Sequence, residues 1–277
     1  MKNGITFIII ASFFFSIINI LVKYLSQIPA IEIVFFRSLV SLLISGTLLI
    51  KHKIPFKNKY WPLLIGRGLS GALALSLYFY AIQVMPLATA VTIFYLAPIF
   101  TVLLAIFMVG ESPSPKQWPF LLLAFVGSAF IKNTDVRVEV IPFIISLVAA
   151  FFAGMAYNFI RKLKGKADTH LIILYFPLIT IPFCLPFMLP IWKTPNMFEL
   201  ALLILIGLCT QLAQVFMTKA YMMEKASRIS HYNYLTTFWA VLSGFLIFNE
   251  KMNIISIFGM VLIFIGIFFS ARLAPKS

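Results

Sequence analysis

The chain has 277 residues, of which 62% are hydrophobic and 11% are charged, and its mean hydropathy is +1.03. A soluble domain needs a polar shell around its core, so this composition excludes a soluble globular protein and favours one that lies in a lipid bilayer. The net charge of +14 does not indicate a nucleic-acid partner, because Lys and Arg cluster between apolar runs, as expected of cytoplasmic loops.

Ten apolar runs approach the roughly 20 residues that a membrane-crossing helix needs. The predicted spans are Ile5–Tyr24, Ile31–Ile50, Trp61–Val84, Ala88–Val109, Gln117–Ile131, Ile141–Ile160, Leu171–Ile191, Phe198–Tyr221, Ile229–Phe248 and Ile254–Ala271. The first run is long for a signal peptide and no A-x-A site follows it, so we interpret it as an uncleaved span. The predicted fold is an all-α membrane protein with ten transmembrane helices.

The basic residues predict the orientation of these spans. Alternate connections are rich in them, and the richest hold Lys51, Lys53, Lys57, Lys59, Arg161, Lys162, Lys164 and Lys166. The remaining connections hold isolated cations such as Lys132 and Lys193. The positive-inside rule places the basic side in the cytoplasm. We therefore expect a multi-pass protein of the inner (plasma) membrane with both termini cytoplasmic.

A single offset of 139 residues (250 − 111) relates the two halves of the chain. At this offset Glu111 matches Glu250, and further matched pairs are Asn19/Asn158, Lys23/Lys162, Tyr95/Tyr234 and Gly127/Gly266. Polar identities at one ungapped offset indicate an internal repeat. Each copy holds five spans, and this odd number inverts the second copy in the membrane. The expected domains are residues 1–134 and 139–273, two inverted five-helix repeats of the kind that many secondary transporters use.

Short motifs within the repeat resemble a known family. In the first copy they are Tyr80-Ala81, Ala88-Thr89-Ala90, Phe94-Tyr95-Leu96-Ala97-Pro98 and Gly110-Glu111, and in the second copy they are Ala220-Tyr221, Ala226-Ser227, Tyr234 and Asn249-Glu250. Their order and duplication resemble the EamA family of the drug/metabolite transporter superfamily. The resemblance implies ten helices and a central cavity lined mainly by spans one, three, four, six, eight and nine. Members of this family move amino acids, S-adenosylmethionine, vitamins and other small organic solutes.

The two copies differ at several polar positions. The second has Thr237 in place of Pro98, and Glu224 and His231 in place of Met85 and Thr92. We therefore expect the cavity to be asymmetric.

Polar and aromatic side chains inside the spans are the candidate substrate-binding residues, because polar groups in hydrocarbon usually face a cavity or one another. The candidates are Asn19, Tyr95, Asn158, Gln211, Gln214, His231, Tyr234 and Trp239. Hydrogen bonding between helices is the alternative role for the polar ones, and packing is the alternative for Tyr95. A tyrosine ring also offers a face on which a cationic amine or sulfonium could lie.

Charged residues in the spans have two interpretations each. Arg37 pairs with Glu32 or binds a substrate carboxylate, and Arg67 extends to the inner headgroups or contacts substrate; structural roles are favoured for both. Lys23 lies at a span end, where it can reach the interface. Glu111 and Glu250 also lie at the ends of spans. This position favours a role in ending a helix over a role in proton coupling.

These features predict a secondary-active transporter of a small polar organic metabolite, such as an amino acid or S-adenosylmethionine, working by alternating access. An exporter of toxic or excess metabolites or drugs, a channel and an integral-membrane enzyme are the alternatives. No ATP-binding G-x-x-x-x-G-K-[ST] motif is found, and the spans hold no acidic pair for an enzyme. Cys184 and Cys209 have no CxxC spacing, so we expect no metal and no cofactor. The expected partners are the solute and the bilayer, with the protein a monomer or homodimer.

Overall fold

A computed structural model describes residues 3–110, 112–134, 138–223, 234–250 and 253–273. In these ranges the chain forms helices and short connections, without a strand. The α-helices are α1 (Asn3–Tyr24), α2 (Ala30–Lys51), α3 (Trp61–Val84), α4 (Leu87–Phe94), α5 (Ala97–Met108), α6 (Trp118–Thr134), α7 (Val140–Lys162), α8 (Thr169–Met188), α9 (Met197–Met223), α10 (Tyr234–Leu246) and α11 (Ile254–Arg272). Two 3-10 turns, Pro115–Gln117 and Leu189–Ile191, adjoin α6 and α8.

Seven of the described helical stretches are long and apolar enough to cross a membrane, by length and composition. Two shorter apolar helices, Leu235–Leu246 and Ile254–Ser270, follow near the end of the chain. The predicted spans match the helices to within a few residues wherever the chain is described. The ninth predicted span, Ile229–Phe248, is described only from Tyr234 onward.

The fourth predicted span is two helices rather than one. Helix α4 ends at Phe94 and α5 begins at Ala97, so Tyr95 and Leu96 form a joint between them. Pro98 occupies the first turn of α5, where a missing backbone N–H costs nothing. The proline therefore starts a helix here, and the joint carries Tyr95 at a fixed place in the fold.

Two left-handed residues end the matched helices α5 and α10. Gly110 has φ +79°, and Asn249, which lies 139 positions later, has φ +51°. Glycine adopts this conformation freely, and asparagine tolerates it better than most residues. The backbone N–H of Gly110 then donates to the Ala105 carbonyl at 2.9 Å. Both positions thus end a helix sharply before a glutamate.

Helices of the first half pack mainly on helices of the second half. The closest pairings are α1 with α9, α2 with α8, α3 with α7 and α6 with α11. In the last pair a Cβ added to Gly127 would lie 2.6 Å from the Gly259 carbonyl oxygen, and one added to Gly266 would lie 2.5 Å from that of Phe120. Small residues allow such close backbone approach between membrane helices. The pairings leave a space between the halves, where α1, α3, α7 and α9 meet.

Candidate substrate site

A central cavity of about 70 Å³ lies between the helices of the two halves. The lining residues are Phe15, Ile18, Asn19, Arg37, Arg67, Gly71, Ala74, Leu75, Tyr78, Phe79, Phe94, Tyr95, Ala153, Ala156, Tyr157, Phe176, Gln214 and Met217. The lining therefore includes α2 and α8, which the family resemblance did not imply, while the described part of α10 contributes no lining residue.

One part of the cavity wall is aromatic. The ring of Tyr78 stacks on Phe94 with centroids 3.8 Å apart, and Phe94 meets Tyr95 edge to face at 6.0 Å. Tyr157 stacks on Tyr221 at 4.7 Å. The α4–α5 joint places Phe94 and Tyr95 side by side against α3. Flat rings with phenolic hydroxyls offer a solute both stacking surface and hydrogen bonds.

Two buried arginines also line the cavity. Arg37 is 1% exposed and Arg67 is 3% exposed. Their Cζ atoms lie 5.2 Å and 4.4 Å from the centre of one ring, that of Phe176. A charged side chain at the centre of a membrane helix costs about 3 kcal/mol on the insertion scale, and contact with an aromatic face offsets only part of such a cost.

The structure corrects both structural roles expected for these arginines. Glu32 accepts the backbone N–H of Lys193 at 3.1 Å, and it makes no ion pair with Arg37 in the described ranges. The side chain of Arg67 turns into the cavity instead of extending to the surface. Its Nη2 donates to the Gln214 side-chain oxygen at 3.2 Å.

The matched pair Asn19 and Asn158 occupies two different environments. Asn19 lines the cavity, and its Nδ2 has no hydrogen-bond partner among the described residues. Asn158 lies outside the lining, and its Nδ2 donates to the carbonyls of Thr101 at 2.9 Å and Gly154 at 3.2 Å. Asn158 thus joins α7 to α5, which was the alternative role for these amides.

The two glutamines of α9 divide in the same way. Gln214 lines the cavity and contacts Arg67. Gln211 lies outside the lining and bonds to α2, accepting from Ser41 and donating to Ser45 at 2.9 Å. Three residues apart on a helix, the two amides share a side of α9 but reach different neighbours.

The three remaining candidates are not among the described lining residues. His231, like Glu224 and Glu111, falls outside the described residues. Tyr234 begins α10, and its side chain also lies outside the described part. Trp239 is 40% exposed on α10 and is not a lining residue.

Glu250 connects the two halves at one end of the bundle. Its carboxylate accepts the backbone N–H of Leu87, the first residue of α4, at 3.0 Å and 2.8 Å. It also lies 3.6 Å from Nζ of Lys23, which donates to the Met85 carbonyl at 2.6 Å. Glu250 therefore caps the start of α4, a helix of the other half of the chain. Lys23, which was expected to reach the interface, thus binds groups of the protein at this end of α1.

Sequence reasoning missed several lining residues. Tyr78, Tyr157 and Phe176 are aromatic residues in apolar spans, and nothing in the sequence separates them from packing residues. Arg37 and Arg67 carried a usable signal, since ionisable residues inside spans usually face a cavity. Their position on α2 and at the start of α3 led to structural roles instead.

Comparison with known proteins gives consistent results. Residues 2–132 and 141–272 each match the EamA-like transporter family. The pseudopaline exporter of Pseudomonas aeruginosa is 32% identical over 96% of this chain and 95% of its own. The S-adenosylmethionine uptake transporter of Rickettsia prowazekii is 25% identical over 99% and 94%. A crystal structure that is 15% identical shares the fold, with a TM-score of 0.66 over 95% of each chain. This chain therefore belongs to the EamA-like transporter family, as a multi-pass membrane protein that transports a small molecule and is not an enzyme.

Proposed function

We propose that this protein is a secondary-active transporter that carries a small polar organic metabolite across the inner membrane of a bacterial cell by alternating access. The observation that carries the proposal is the central cavity, which is bounded by helices of both halves and lined by polar groups such as Asn19, Arg37 and Arg67. A site between two opposed halves can be exposed to one side and then the other when the halves rock.

In this proposal residues 1–134 and 139–273 are inverted repeats of five spans each, ten in all, with both termini cytoplasmic. Related contacts support the arrangement. Two close contacts are equivalent under the 139-residue offset: Gly127 approaches Gly259, and Gly266 approaches Phe120. Gly127 corresponds to Gly266, and Phe120 corresponds to Gly259. The basic connections after α2 and α7 support a cytoplasmic position for the corresponding helix ends.

The contacts of Glu250 suggest how one face is closed. Lys23 and Leu87 belong to the first half and Glu250 to the second, and all three are expected on the side opposite the basic connections. We propose that these contacts separate when the cavity opens to that side. At the same offset Glu111, Lys162 and Ala226 are the corresponding residues for the cytoplasmic face.

Counterflow in proteoliposomes tests the transport proposal. Vesicles are preloaded with an unlabelled solute, and uptake of its labelled form is measured for a panel of amino acids, organic acids and S-adenosylmethionine. A carrier shows faster uptake when solute is present on the opposite side, because the carrier then returns across the membrane with solute bound and exchanges one molecule for another. Uptake that is insensitive to preloading for every permeant solute would contradict alternating access and indicate a channel.

Relatives named as an exporter and as an uptake transporter make the direction a separate question. We propose net movement in one direction driven by a gradient, and not by ATP. Measuring net flux with an imposed proton or sodium gradient, in vesicles of known orientation, assigns both the direction and the coupling ion.

A further inference from the structure

Within the described part of the chain, the positive charge of the cavity has no acidic partner. Arg37 and Arg67 are both almost completely buried, and no acidic side chain lines the cavity within the described part of the chain. Nε and Nη2 of Arg37 and Nε and Nη1 of Arg67 have no hydrogen-bond partner there either. The ion pair found in these ranges, between Lys23 and Glu250, involves neither arginine.

This arrangement is unfavourable for the empty protein. A buried charge that lacks a partner destabilises a fold, and the two guanidinium groups are neighbours that contact the same ring, that of Phe176. Arg37 lies over the rings of Phe79 and Phe176. Arg67 lies over Phe176 and donates to the side-chain oxygen of Gln214. Four N–H-bearing atoms remain available to a ligand with negatively charged oxygen atoms.

We infer that the transported solute is an organic anion whose carboxylate binds to Arg37 and Arg67. This inference rests on the proposed transport function and names the solute class for the same site. A guanidinium presents a planar fork of donors that matches the two oxygens of a carboxylate. The solute supplies the negative charge that the described lining lacks, so binding removes the cost of the two unpaired cations.

The rest of the cavity indicates what else the solute carries. The stacked rings of Tyr78 and Phe94 offer a flat surface, and beside them the Tyr78 hydroxyl and Asn19 Nδ2 have no partner of ordinary geometry among described residues. A solute that fits has a carboxylate at one end and a planar or apolar body with a hydrogen-bonding group at the other. A net cation such as S-adenosylmethionine is disfavoured, because both arginines repel it.

Three probes with the same ring test this inference. They are 4-hydroxyphenylacetate, its neutral amide, and the cation tyramine; phenyl phosphate is the fourth probe. Thermal unfolding of the purified full-length protein, followed by tryptophan fluorescence, reports binding. We expect millimolar 4-hydroxyphenylacetate to raise Tm, and the amide and tyramine to leave it unchanged. Equal shifts from the acid and the amide would overturn the inference, and a shift from phenyl phosphate alone would overturn the carboxylate assignment.

Variants separate ligand binding from a structural role. Arg67→Gln and Arg37→Gln should abolish the shift caused by 4-hydroxyphenylacetate, while Tm without ligand stays equal or rises because an unpaired charge has been removed. Arg67→Lys keeps the charge but loses the fork, and should weaken binding by about tenfold. Arg161→Gln, at the end of α7, is the matched control and should keep the full shift. A fall in Tm of both glutamine variants without ligand, with the acid-induced shift retained, would contradict the inference.

The two proposals fail in distinguishable ways. Carboxylate-dependent binding without counterflow of any probe would leave the anion site in place and refute transport. Counterflow of amino acids or S-adenosylmethionine that is equally fast in Arg37→Gln and Arg67→Gln would support transport and refute the anion site.

Discussion

Lys23 of α1 and Glu250 after α10 lie 3.6 Å apart, and this ion pair joins the first half of the chain to the second. The same carboxylate accepts the backbone N–H of Leu87. One side chain therefore neutralises a lysine and caps the helix that leads to Tyr95. This end of the bundle is thereby connected to the helix whose other end carries Tyr95 at the cavity.

Replacement of Glu250 should weaken this closure more than replacement of Lys23. Glu250→Gln loses the ion pair and the negative charge at the start of α4, and should lower stability by about 1 kcal/mol. Lys23→Gln loses the pair and the bond to the Met85 carbonyl, but it leaves the carboxylate at the start of α4. The double exchange Lys23→Glu with Glu250→Lys restores the pair but puts a cation at the α4 N-terminus, so it should recover part of the loss at most. Denaturant unfolding and counterflow measure the effects, and full recovery in the exchange would show that the helix cap contributes nothing.

Gly71→Ala should disturb the site through Arg67. A Cβ at Gly71 would collide with Nη1 of Arg67 and lie 2.7 Å from Cε2 of Phe176. We expect about a tenfold loss of solute affinity, since one displaced charge-assisted hydrogen bond contributes about 1.5–3 kcal/mol. Gly46→Ala is the matched control, because a Cβ there has no neighbour within 4 Å. Equal affinities of both variants, measured by competition for uptake, would argue that Arg67 does not contact the solute.

Asn19 and Asn158 should respond differently to the same substitution. Asn158→Ala removes the bonds to Thr101 and Gly154 and should lower stability by about 1 kcal/mol. Asn19→Ala removes an amide whose Nδ2 has no partner among the described residues, so stability should hold while transport changes. Unfolding and uptake are measured on both proteins. A larger loss of stability in Asn19→Ala than in Asn158→Ala would reverse the assignment.

Gly127→Ala and Gly266→Ala should both destabilise the protein by separating α6 from α11. Each added methyl group would meet a backbone carbonyl oxygen at 2.6 Å or less, and overpacking of this kind costs about 1–3 kcal/mol. Unfolding measurements on both variants, with Gly46→Ala alongside them, test the close approach. Because neither glycine lines the cavity, solute affinity of the folded variants should be unchanged.

The family and the positions of most spans could be predicted because both depend on patterns that are visible in the sequence. The apolar runs predicted the helices, and the 139-residue offset revealed the matched polar residues of the repeat. The break at Tyr95 was less visible, since a proline at position 98 is compatible with a kink or with a new helix start. Only the actual path of the backbone decides between them.

The site was predicted less well because identical residues can face different neighbours. Matching Asn19 to Asn158 suggested equal roles. In the structure, Nδ2 of Asn158 donates to the Thr101 carbonyl, whereas Nδ2 of Asn19 faces the cavity and has no such carbonyl acceptor among the described residues. Arg37 has Phe176 as its counterpart at the 139-residue offset, so a search restricted to matched polar positions passes over it. Side-chain direction within a helix bundle depends on packing angles that the repeat does not encode.

The glycine contacts between α6 and α11 have a consequence for the origin of the chain. Gly127 meets residue 259 and Gly266 meets residue 120, so each half presents the same surface to the other. Two identical subunits related by a twofold axis make contacts of this reciprocal kind. On the inverted arrangement proposed above, an ancestral half-length chain inserted in both orientations would have paired with itself through this surface. Gene duplication would then have joined an existing dimer, and later divergence placed both cavity arginines in one half.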